Sequence, residues 1–369
     1  FGAIYLLTLV VLTIRLGVEE SMKRSTISKA LCILQFLIPL SLSTGGMAAE
    51  STAESTADKL SMVVLGDSVT MGVWADSNLG DPGSRFYREA LQLQVQANLM
   101  ALVSGRKVND LSNAKKYASV IDRFFGFISR KHLSGLIGNQ EYSVPTMIKE
   151  RTGRDVEVIE ATVMAGCYEI SEFALSKLDK LIKRNGGQLD PDFVFIDFNA
   201  MDFVFNVSTQ LYQQNVRRTL AAVVQRFPRA TIVASPLVNM VRVMINSFDK
   251  LTIPGRLGLG RMTCAQSYNR IGFDQSLGLN PSTPPEEVSA KLAKLEEMRA
   301  ILGAELDALG RSDAEFGFDR FEGRVIRVES ASTRDHEIYR YLAADCVHPN
   351  VEGQKLLARQ IWAAIEAEL

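Results

Sequence analysis

A serine hydroxyl is a poor nucleophile until a neighbouring base accepts its proton, and that base works best when a third group orients it. The chain offers three histidines for the task. His132 follows Arg130-Lys131, and His336 lies in Arg334-Asp335-His336-Glu337, so charged neighbours mark both as solvated surface residues. His348 stands apart in Asp345-Cys346-Val347-His348-Pro349-Asn350. Asp345 precedes it by three residues, near enough for one tight loop to hold its carboxylate against the imidazole Nδ1. The matching serine is Ser68, which ends the apolar run of Val63-Val64-Leu65-Gly66-Asp67-Ser68-Val69-Thr70. A residue placed there stands at the carboxyl end of a buried strand, where open α/β sheets put their ligands. Ser68 as nucleophile, His348 as base and Asp345 as its orienting carboxylate would perform acyl transfer. Gly-Asp-Ser alone is weak, arising by chance in roughly one chain in ten of this length, and its bland alternative is a turn in which Asp67 or Ser68 caps a helix.

Two distant segments meet only if the elements between them bring them to one sheet edge. Short apolar, β-branched runs recur at Met62–Leu65, Val156–Ile159, Phe193–Phe198, Thr231–Ala234 and Val325–Val328. Runs of four to six such residues are the pattern of central parallel strands buried on both faces. Helical stretches such as Gln214–Phe227 and Val351–Leu369 alternate with them, which predicts a doubly wound, mostly parallel α/β sheet of about five strands. Pro349 and Asn350 end the His348 loop and start the closing helix. Two stretches exceed that alternation. Residues 81–138 carry a helical pattern at Phe86, Ala90, Leu93, Ala97 and Met100, then the apolar cluster Phe124, Phe125, Phe127, Ile128, Leu133, Leu136 and Ile137, and read as an inserted helical cap. In Pro285–Leu309, Val288, Leu292, Leu295, Met298, Leu302 and Leu306 recur every three or four residues, which predicts one amphipathic helix.

Gly66-Asp67-Ser68 and Asp345-x-x-His348-Pro349 resemble the two signature blocks of the GDSL/SGNH hydrolase family, and Asn350-x-x-Gly353 extends the second. The resemblance runs from about Ser61 to Leu369. It implies a flavodoxin-like α/β fold, an esterase or lipase activity without cofactor or metal, and an oxyanion hole. Its donors would be the backbone N–H groups of Ser68 and Gly166 and an asparagine side chain after the third strand. The family's Gly-x-Asn-Asp block, laid without gaps on Asn199-Ala200-Met201-Asp202, puts Met201 where the asparagine belongs. Methionine donates no hydrogen bond. Either Asn199 reaches the oxyanion from two residues earlier, or this donor is missing.

Composition narrows the rest. The 41 basic and 42 acidic residues of the 369-residue chain leave a net charge of −1, without the basic excess that tracks nucleic-acid phosphates. There is no Cys/His cluster of zinc spacing and no phosphate-binding glycine loop. From Met22 to Ala49 a basic start (Lys23, Arg24, Lys29), an apolar run (Ala30 to Leu42) and small residues follow one another in the order of a signal peptide. Export to the periplasm or the medium is therefore expected, with a membrane anchor as the alternative. Residues 1–21 precede it with no assigned role, residues 50–60 form a polar leader, and the hydrolase domain spans 61–369. Outside the signal-like segment, which holds Cys32, three cysteines remain, Cys167, Cys264 and Cys346. Pairing of Cys264 with Cys346 would tether the His348 loop, and three reduced buried thiols are the alternative. The expected partner is a small-molecule, lipid or acylated-glycan ester. The cap's apolar cluster would suit an acyl chain or a membrane surface, or form a second small core. The rival functions are removal of acetyl groups from polysaccharide and, favoured by Met201, a weakly active or non-catalytic binding protein on the same fold.

Overall fold

The computed structural model describes residues 59–73, 75–76, 129–163, 166–187, 189–198, 200–250, 263–271, 273–329, 335–343 and 345–369. The upstream segment, the signal peptide, the leader through residue 58, the cap through residue 128, and Asn199 lie outside these residues, whereas Leu60, read as the end of the leader, opens the first strand.

Among the described residues five strands, β1 (Leu60–Gly66), β2 (Val156–Glu160), β3 (Phe193–Asp197), β4 (Thr231–Ala234) and β5 (Arg324–Arg327), pair in the order β2-β1-β3-β4-β5. Every pairing is parallel. The sheet is thus wholly parallel, the flavodoxin-like arrangement, and the chain switches direction of travel across the sheet at β1 and β3. Side chains alternate faces along a strand. Val63 and Leu65 of β1 enter one core with Val194, Ile196 and Ile232, while Leu60, Met62 and Val64 enter the other with Phe193, Phe195, Val233 and Ile326. Both faces are covered, which explains why these strands read as unbroken apolar runs rather than as alternation.

On the first face lie α2 (Ser171–Arg184), α4 (Thr209–Arg226) and α8 (Pro285–Gly310); on the second lie α1 (Val144–Thr152) and α9 (Val351–Ile365). The remaining helices are α3 (Met201–Val204), α5 (Met240–Ser247), α6 (Cys264–Ile271) and α7 (Phe273–Leu277). Helix α8 buries Leu295, Met298, Leu302 and Leu306, as its periodicity predicts, and starts on Pro285, Glu286 and Glu287, which suit the positive end of a helix. Its buried Glu305 accepts both Arg217 Nε at 2.9 Å and Arg217 Nη2 at 2.7 Å, a two-pronged ion pair that ties α8 to α4. Helix α4 begins five residues before the expected Gln214, because Ser208 Oγ accepts the Leu211 N–H at 3.2 Å and caps a polar first turn. Leu136 and Ile137, read from sequence as part of the cap, pack into the second core beside Val144 and Ile361.

Candidate active site

The chain leaves β1 through a turn that only glycine permits. A Cβ on Gly66 would overlap the Thr70 side chain, which folds back to accept the Asp67 N–H at 3.2 Å and to donate to Asp197 Oδ2 at 2.5 Å. Asp67 Oδ1 accepts the Val69 N–H at 2.7 Å, and the Val73 N–H closes on the Ser68 carbonyl at 3.1 Å. Outside support comes from α9, where Gln354 Nε2 donates to the Val69 carbonyl at 2.9 Å while its Oε1 accepts the Gly135 N–H at 2.9 Å. The turn that carries Ser68 is thereby bonded to β3 and to α9.

The second segment returns to this edge as a tight loop before α9. Asn350 Oδ1 accepts the Gly353 N–H at 3.0 Å and caps the helix, while its Nδ2 donates to the Arg340 carbonyl at 2.8 Å. The Ala343 N–H donates to the His348 carbonyl at 2.7 Å. Inside the loop, Asp345 Oδ1 accepts the N–H groups of Val347 and His348, each at 3.0 Å, and Oδ2 pairs with His348 Nδ1. His348 Nε2 lies 2.8 Å from Ser68 Oγ. The structure thus joins all three residues picked from the sequence, two ends of the chain 280 positions apart, in one hydrogen-bonded line.

All three are buried, with 5–7% of their surface exposed. Burial by itself lowers the imidazole and raises the carboxylate. Attraction and hydrogen bonding between the two outweigh it, helped at His348 by the nearby Asp67 and at Asp345 by the two backbone N–H groups. His348 is accordingly held above its ordinary value and Asp345 below its own. A buried, oriented imidazole in contact with a hydroxyl can take up that hydroxyl's proton, which is the first requirement for nucleophilic attack.

The other expected residues are placed less directly. Gly166 lies against the end of β1, where a Cβ would stand 2.9 Å from the Gly66 carbonyl, and its N–H donates to Val163 at 3.1 Å. It reaches the right edge of the sheet with its N–H in use. Asp202, on α3, is wholly buried and accepts the N–H groups of Tyr168 and Glu169 at 2.8 and 3.0 Å, pinning the segment just after Gly166. Burial above all pushes its carboxyl up, to about 6, against the pull of those bonds. His132 is exposed on a short 3₁₀ turn (Lys131–Leu133).

Beside Ser68 and His348 opens a cavity of about 180 Å³. Its lining includes Met201, Val204, Leu237, Met240, Val328 and Leu356. Sequence reading missed this pocket, because its walls come from separate elements whose residues each read as ordinary core. Met201 is the exception: as the misfit in a polar block it was visible, and here it contributes to an apolar wall. Cys346 is bonded to Cys264, which leaves Cys167 a buried thiol.

A family model of GDSL-like lipases and acylhydrolases matches residues 62–361. Among solved structures, the psychrotrophic esterase EstA from Pseudoalteromonas sp. is similar at 11% identity and a TM-score of 0.38, over 84% of this chain and 97% of that one. TesA is similar at 12% identity and a TM-score of 0.35, over 84% and 99%. No curated protein matches the chain.

Proposed function

This chain belongs to the GDSL-like lipase/acylhydrolase family, and from that premise we propose that it hydrolyses a carboxylic ester through an acyl-enzyme formed on Ser68. The single observation that carries the reading is the 2.8 Å contact of Ser68 Oγ with His348 Nε2, on an imidazole whose other nitrogen pairs with Asp345. Ser68 Oγ attacks the ester carbonyl carbon as His348 takes its proton. Asp345 balances the imidazolium that results and fixes its tautomer. The tetrahedral intermediate's oxygen is held by the Ser68 N–H, with the Gly166 N–H exchanging Val163 for the oxyanion and Asn199 as a further donor. Collapse expels the alcohol, protonated by His348. Water, activated by the same imidazole, then releases the acid and returns Ser68.

The apolar pocket beside Ser68 supports an aliphatic acyl group longer than acetate. A polysaccharide O-acetyl esterase would be better served by a polar, shallow cleft. Met201 is the observation that favours a non-catalytic alternative, since loss of one oxyanion donor typically costs about 10²–10³ in kcat. Such a loss slows an esterase without abolishing it. Export is part of the proposal: the signal-like order of residues 22–49 supports it, and so does the Cys264–Cys346 bond, which suits an oxidising compartment. The test is turnover of p-nitrophenyl esters by His348→Ala. The proposal expects a loss of at least about 10²-fold with the fold intact, and full turnover by that variant excludes His348 as the base.

A further inference from the structure

Between Asp345 and His348 stands Cys346, with a φ of +68°. Glycine takes that conformation freely, whereas a side chain such as cysteine does so only when its surroundings hold it there. Two bonds from one short helix do so. Cys264, the first residue of α6, forms the disulfide to Cys346. Tyr268, one helical turn later and so on the same face, donates its hydroxyl to the Cys346 carbonyl at 2.6 Å. Ser247, the last residue of α5, lies 2.8 Å from the Tyr268 hydroxyl. The Ser247 hydroxyl donates to the Val243 carbonyl of its own helix at 2.6 Å, so it is held in place beside the Tyr268 hydroxyl.

Ser247, Cys264, Tyr268 and Cys346 are all fully buried. The Tyr268 ring stacks on Phe273 and meets Phe248 edge-on, so its hydroxyl has little freedom to turn elsewhere. The same helix α5 contributes Met240 and Val243 to the wall of the acyl pocket. Neither Tyr268 nor Cys264 is among the residues that line that pocket; both bond to Cys346, two residues before His348, and the Tyr268 ring also packs on Phe273 of the lining, a contact that Tyr268→Phe keeps.

We infer that Tyr268 and the Cys264–Cys346 disulfide are positioning residues, a brace that fixes the His348 loop so that its imidazole stays within proton-transfer distance of Ser68. The inference rests on the triad reading above. Displacement of a catalytic group by about 1 Å can cost on the order of 10²-fold in rate, and the brace acts on the base rather than on the substrate's binding surface. Its loss therefore lowers kcat and leaves KM in place.

Two perturbations test it, with p-nitrophenyl butyrate as substrate. Tyr268→Phe keeps the ring and removes the hydroxyl. Dithiothreitol reduces the disulfide of the wild type: it closes to its own cyclic disulfide as Cys264 and Cys346 each gain a hydrogen, and oxidised glutathione reverses the exchange. Each is expected to lower kcat about 10-fold or more, with KM within about twofold and an unchanged far-ultraviolet circular dichroism spectrum. Reoxidation should restore the rate. A general loosening of the fold would instead lower the fraction of active enzyme, so titration of Ser68 with a fluorophosphonate counts competent sites and kcat is expressed per site. An unchanged kcat per site in both Tyr268→Phe and the reduced wild type overturns the brace and leaves the hydrolase reading standing. An oxidised wild type that neither hydrolyses the ester nor takes the label overturns both.

Discussion

Lengthening the acyl chain of the substrate should raise the rate steadily and then stop. The cavity beside Ser68 measures about 180 Å³. A dry apolar cavity of about 150 Å³ takes up a benzene molecule, so this one has room for about six methylenes. Each methylene moved from water into an apolar site contributes about 0.8 kcal/mol, or about fourfold in kcat/KM at 1.36 kcal/mol per decade. From acetate to octanoate this amounts to about 5 kcal/mol, an upper limit of between about 10³ and 10⁴ in kcat/KM. Beyond that length the chain has no further wall to cover and the rise should level off. Met201→Trp, at a half-buried position of the lining, should fill part of the space and move the optimum toward shorter chains. The assay is kcat/KM for p-nitrophenyl esters from two to twelve carbons, without detergent. A wild type that prefers acetate, or a profile that Met201→Trp leaves unmoved, would refute the assignment of this cavity to the acyl chain.

The acid limb of kcat/KM should lie above the ordinary histidine value of 6.5, because His348 must be neutral to accept a proton and its environment holds it above that value. Asp345→Asn removes the larger attraction and leaves burial opposed only by Asp67, so the limb should move to lower pH while kcat falls steeply; a pH–rate profile of both proteins decides it. Asp202 makes a separate prediction about stability. Its carboxyl is raised from 3.8 to about 6 in the fold, so the protonated form is favoured there and its contribution is full below about pH 4 and lost as pH rises through 6. Urea unfolding at pH 4 and pH 7 should show the stability difference between Asp202→Asn and wild type changing by about 2 kcal/mol, with wild type gaining at the lower pH.

The two ends of the site were legible because each sits where a simple physical pattern breaks. Strand β1 is buried on both faces, so its apolar run stops visibly at Gly66-Asp67-Ser68. With three histidines in the chain, only His348 lies away from a charged run and beside a carboxylate at loop spacing. Helix α8 was legible to within a residue because its apolar stripe, Val288 to Leu306, repeats at helical spacing over about five turns. The start of α4 was not, since a polar first turn capped by Ser208 resembles the loop before it. Nor was the pocket, whose walls at Leu237, Val328 and Leu356 become one surface only when the ends of β4 and β5 meet α9. The N–H of Gly166 shows a further limit: sequence order brought the residue to the correct edge, whereas the direction of its donor is set by the local turn to Val163.

Most of this account depends on Ser68 being a reactive hydroxyl rather than a helix-capping one. Reaction with a fluorophosphonate, followed by intact mass and peptide mapping, measures that directly. One adduct per chain, on Ser68, absent from Ser68→Ala and formed far more slowly in His348→Ala, is the predicted result. A wild type that stays unlabelled, or one labelled at another residue, would contradict it.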